Sequence, residues 1–164
     1  MACRGVHFAL TTEDEAALLA ASGDDEVMEI EERIEERWDR PWLSESDKAW
    51  DALHRCLGDG SLSPDGGGGA PLARCVLGGR WLHDGDEYIV SYLTAAEVKA
   101  LVAPLDAVDE RWFGERYATL ATSDYDGPHD DDDRAYTWEG FQSMRELFRK
   151  ASAAGRAIVF TVDQ

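Results

Sequence analysis

The chain has 164 residues, enough for one domain, and its 44% hydrophobic and 10% aromatic content excludes a disordered or collagen-like polymer. Asp and Glu number 34 against 16 Lys and Arg, a formal net charge of −18, which excludes direct binding of nucleic-acid phosphates because that needs a basic stripe. No run of about 18 apolar residues is present, so no membrane-spanning helix is expected.

In chain order, Val6 to Leu10 reads as a first strand. Thr11 and Thr12 stand as N-caps before a helix over Ala16 to Ala21, with Asp14 and Glu15 at capping-box spacing. Ser22-Gly23-Asp24 breaks that helix, and Asp24 or Asp25 caps the next. There Val27, Ile30, Ile34 and Trp38 form the apolar stripe, with Glu29, Glu32 and Glu36 on the solvated side. Pro41 ends it. Ser44 or Ser46 opens a third helix carrying Trp50, Leu53 and Leu57, stopped by Gly58.

Residues 58–71 are rich in glycine and read as a flexible loop; Gly66 to Gly69 are not followed by the Gly-Lys-Ser/Thr of a phosphate loop. Cys75 to Leu77 and Tyr88 to Leu93 read as strands, with Asp84-Gly85 as the turn of a hairpin that leaves near Trp81 and resumes near Glu87. Thr94-x-x-Glu97 caps a helix through Ala103 that Pro104 closes, and Asp109 to Leu120 forms another. A second flexible loop covers about 121–134. Thr137 then caps a long helix bearing Phe141, Met144, Phe148 and Ala151, stopped by Gly155. Ala157 to Val162 is apolar on both faces, the mark of an interior strand. No internal repeat is visible.

Four segments carry a family resemblance. They are Gly5-Val6-His7-Phe8-Ala9-Leu10, Asp47-Lys48-Ala49-Trp50-Asp51-Ala52-Leu53-His54, Tyr88-Ile89-Val90-Ser91-Tyr92-Leu93-Thr94 and Ala154 to Asp163. Together they resemble the YfbM-like family of bacterial proteins, a domain of unknown function, over nearly the whole chain apart from the glycine-rich and aspartate-rich loops. The resemblance implies a compact cytoplasmic α+β domain. It implies no activity and transfers no catalytic residue. The expected architecture is a single α+β domain over residues 1–164, a small mixed β-sheet with helices packed against it.

Charge is unevenly distributed. Residues 11–39 hold 12 acids and 2 bases, and residues 121–133 hold 6 Asp and no base, so a charge-based function belongs to these segments. Glu29, Glu32 and Glu36 are therefore candidate partner-binding residues for a basic protein. Trp42, beside Arg40-Pro41, is a further candidate at the edge of a pocket or interface. The favoured function is a non-catalytic, acidic protein-binding module, for example immunity-like or regulatory.

The alternative is a small hydrolase-type enzyme. Asp47, Asp51 and His54 share helical spacing, and a carboxylate beside an imidazole suits general acid–base work. The competing structural reading pairs Asp51 with Arg55 or Lys48 and leaves His54 at the core edge. His83 with Asp84, Asp86 and Glu87 offers ligand types within five residues, but no second His or Cys pair completes a zinc set, and a solvated turn is favoured. His7 reads as a packing residue. The aspartates of 124–133 lack the EF-hand pattern and are expected to bind Ca²⁺ weakly if at all. No metal or other cofactor is expected. Cys3, Cys56 and Cys75 are odd in number and widely spaced, and the first residues reach Glu13 without an apolar signal segment. Both features lead to the expectation of a reducing, cytoplasmic setting.

Overall fold

A computed structural model describes residues 3–163. Strand β1 (Gly5–Ala9) is followed by helices α1 (Thr12–Ala20) and α2 (Asp24–Arg37), then by β2 (Leu43–Asp47) and α3 (Trp50–Leu57). Next come β3 (Arg80–Trp81), β4 (Tyr88–Leu93), α4 (Ala95–Asp106), α5 (Glu110–Ala118), α6 (Asp131–Ala154) and β5 (Ile158–Asp163). The five strands form one sheet in the order β2-β1-β5-β4-β3.

The α+β class holds, but every strand pair is antiparallel, so the mixed pairing expected from the sequence is corrected. Parallel neighbours need a single crossover of the βαβ type. Here the helices between β1 and β2 and those between β4 and β5 return the chain to the end of the sheet it left, and a turn joins β3 to β4. Strand β5 is interior as expected, with His7 opposite Phe160 on one side and Ser91 opposite the same residue on the other.

The sheet divides two cores. On one face Leu53, Val98, Phe113, Phe141, Phe148 and Phe160 pack beneath α3 to α6. On the other, Val27, Ile30 and Ile34 of α2 and Leu18 of α1 cover Val6, Phe8, Val90, Tyr92 and Val159. Gly5 permits the close approach of β1 to α3, since a Cβ there would lie 2.7 Å from Trp50 Cβ.

Local chemistry explains most boundaries. The Thr11 hydroxyl accepts from Asp14 N at 3.1 Å, and Thr94 with Glu97 forms a full capping box. Asp109 accepts from Trp112 N at 2.7 Å, and Gly155, at φ 68°, supplies the left-handed C-cap of α6.

Five local expectations are replaced. Residues 43–47, read as a helix start, form β2; Ser44 and Ser46 are buried against α6, where Ser44 shares a 2.8 Å hydrogen bond with Ser143 and Ser46 donates to Gly5 O. Buried hydroxyls do the work of apolar side chains there, so no hydrophobic alternation signals the strand. Cys75 to Leu77 is buried but follows a 3₁₀ turn at Pro71–Cys75, since a short apolar run does not by itself define a strand. Asp24 does not cap α2. Its carboxylate accepts instead from Asp84 N at 2.9 Å and Gly85 N at 3.0 Å, which anchors the turn before β4. Helix α4 continues past Pro104 because Leu105 is drawn into the core. Helix α6 starts at Asp131 rather than Thr137, capped by Asp130, which accepts from Asp133 N at 2.8 Å.

Candidate functional site

The sequence candidates for chemistry lie in three places. Asp47 ends β2 in a left-handed conformation (φ 46°) and accepts from the Tyr136 phenol at 3.1 Å. Asp51, in the first turn of α3, accepts from Arg55 Nε at 2.5 Å. His54 is buried one turn on, with Nε2 2.7 Å from the Ser63 carbonyl. Nε2 therefore carries the proton, and Nδ1 is left without a partner. Burial holds its pKa below the usual value. No hydrogen bond joins Asp47, Asp51 and His54 among the described residues; Asp51 is held by Arg55, as the structural reading of this helix had it. His83 is buried in the turn before β4, 3.8 Å from the Asp24 carboxylate and edge-on to Tyr88. Among the described residues no group of three or more His, Cys, Asp or Glu is arranged to hold a metal ion.

Arg55 organises this region. Its buried guanidinium donates to Asp51, to Gly60 O at 3.1 Å and to Asp124, and lies 5.8 Å from the Tyr125 ring centroid. It thereby ties the glycine-rich segment to the aspartate-rich one. Asp133 accepts from the phenols of Tyr117 and Tyr125, so part of the acidic run serves internal contacts.

The surface candidates are arranged differently. Glu29, Glu32 and Glu36 are exposed along the outer face of α2, and none of the described ion pairs includes them. Trp42 packs at the margin of the other core, with Arg156 3.6 Å and Lys150 4.3 Å from its ring centroid. Its ring is already engaged by cations of the same chain.

The inner face of α2 holds an acid among its apolar residues that charge pattern alone does not single out. Glu31 is 1% exposed, and neither carboxylate oxygen has a hydrogen-bond partner. Burial first, then the charges of Glu35 and Asp14, push its pKa up from 4.5 to about 8. The signal was present: Val27, Glu31, Ile34 and Trp38 also follow helical spacing, which places Glu31 on the apolar stripe.

Fold and surface together are those of a small α+β domain with one strongly acidic helix face. The sequence model of DUF1877, a domain of unknown function, matches residues 1–161, and the chain belongs to this family. Among solved structures, YfbM from Escherichia coli, described as a protein of unknown function, matches with a TM-score of 0.72 and 18% identity over 99% of each chain. At that identity the likeness shows the fold alone. No curated protein matches the sequence.

Proposed function

We propose that the chain is a non-catalytic binding module of the bacterial cytoplasm that captures a basic protein through the outer face of α2. The observation that carries this reading is the row formed by Glu29, Glu32 and Glu36, three exposed carboxylates with no cation of their own chain paired to them. Glu32 and Glu36 are like charges at i, i+4, which opposes helix formation slightly, so this pair does nothing for the helix. A field of one sign steers an oppositely charged partner and raises its association rate. A regulatory or immunity-like role fits such a surface. The cytoplasmic setting is supported by three free thiols, two of them buried, and by the absence, among the described residues, of a helix long and apolar enough to cross a membrane.

The test is affinity capture from the native host with three baits: the parent, a Glu29→Gln, Glu32→Gln, Glu36→Gln triple variant, and His54→Ala. The reading predicts a basic protein retained at low salt by the parent and by His54→Ala, and lost from the triple variant. Equal retention by the triple variant, or no basic protein retained by the parent, contradicts it.

A further inference from the structure

The structure places an unpartnered carboxyl group between α2 and the sheet. Glu31 sits among Val27, Ile30 and Ile34, the residues with which α2 covers Val6, Phe8, Val90, Tyr92 and Val159. The titratable groups around it come from three elements. Glu35 lies one turn on along α2 and accepts from the Tyr88 phenol of β4 at 2.7 Å; Asp14 approaches from α1, itself paired with Arg37. Tyr88 feels the field of Glu31 and Glu35, and Arg4 that of Glu35, but no described ion pair or hydrogen bond brings a base to Glu31 itself. The Thr161 hydroxyl of β5 is also buried, beside the Tyr88 phenol but outside hydrogen-bond geometry, and has no partner.

An ionised carboxylate without a cation or donor is not stable in such a place; the neutral acid is. We propose that α2 is a proton-gated element: its seat on the sheet is complete only while Glu31 carries a proton, and loss of that proton loosens α2 together with the glutamates on its outer face. The proposal needs no partner and is independent of the binding role.

The sign follows from linkage. Glu31 holds its proton in the folded state up to about pH 8, against 4.5 when free, so the folded state binds the extra proton between these values. Stability from this site is full below about 4.5, falls as pH rises, and levels off above about 8. If opening of α2 exposes Glu31 to water, the opening constant rises about tenfold per pH unit through that window.

The experiment is hydrogen exchange of the whole protein, read on peptides from α2 and β5 from about pH 5 to 9 and corrected for intrinsic rates, for the parent and Glu31→Gln. The expected result is an α2 protection factor that lies below that of β5 and falls by about tenfold per pH unit in the parent, up to about pH 8, and stays level in the variant. A level profile in the parent, or the same fall in Glu31→Gln, overturns the proposal. If Glu31→Gln fails to fold, carbon-13 titration of the parent carboxyl groups decides instead. A Glu31 midpoint near 8, with α2 protection falling below that pH and levelling off above it, supports the gate, and a midpoint near 4.5 overturns it.

Discussion

Two buried side chains set opposite pH limits on this fold. His7 is fully buried, donates from Nε2 to the Cys75 carbonyl at 2.6 Å and leaves Nδ1 unpartnered; burial lowers its pKa from 6.5 to about 4. Its neutral form belongs to the folded state, so stability is lost as pH falls from about 6.5 to 4. Glu31 works the other way, losing stability as pH rises from 4.5 to about 8. Each slope is about 1.4 kcal/mol per pH unit, so these two contributions oppose each other between 4.5 and 6.5, where buried His54 adds to the His7 side, and Glu31 opposes stability alone above. Denaturant titrations across this range check the pairing. Glu31→Gln is expected to show a stability slope about 1.4 kcal/mol per unit more positive than the parent between 4.5 and about 8, and to be about 2–4 kcal/mol more stable than the parent near pH 8. Parallel curves for parent and variant disprove the assignment.

At the scale of elements, helix α6 depends on the aspartate run for its first turn. Asp130 caps it, and Asp131, Asp132 and Asp133 face the positive end of the helix dipole. Asp130→Ala is expected to cost about 1 kcal/mol in denaturant unfolding; an unchanged midpoint would show that the cap is idle. Strand β5 carries far more. Deleting residues 157–164 removes Ile158, Val159, Phe160 and Val162 from the middle of the sheet, each contributing about 1.5–3 kcal/mol of burial against a total stability of about 5–15 kcal/mol. The truncated chain is expected not to fold, and a cooperative melt near the parent midpoint would contradict this.

These elements also show which parts of the structure a sequence discloses. Thr94 with Glu97, Gly155 and the doubly apolar β5 were legible because the signals are local and chemical. Strand β2 was not, because its inward side chains are serines whose partners, Ser143 and Gly5, lie far along the chain. The outer row Glu29, Glu32 and Glu36 can be read from helical spacing; the inner position of Glu31 follows from the same spacing but runs against the usual exposure of a carboxylate. Arg55 could be paired with Asp51 from spacing alone, but its reach to Asp124 spans 69 residues and belongs to tertiary structure.

At the scale of the molecule, the sheet separates a large core beneath four helices from a smaller one beneath α1 and α2, and the smaller side carries the 12 acids of residues 11–39. Ion pairing absorbs part of that charge, as Arg37 does with Asp14, and leaves the outer row of α2 open to solvent. The role we propose for this open row is partner capture. Its most direct test is the association rate of the captured basic protein with the parent and with the Glu29→Gln, Glu32→Gln, Glu36→Gln variant, measured as ionic strength is raised. The parent is expected to associate at least about tenfold faster than the variant at low salt, with the two rates converging as salt screens the field. Superimposable rates at every ionic strength would contradict it.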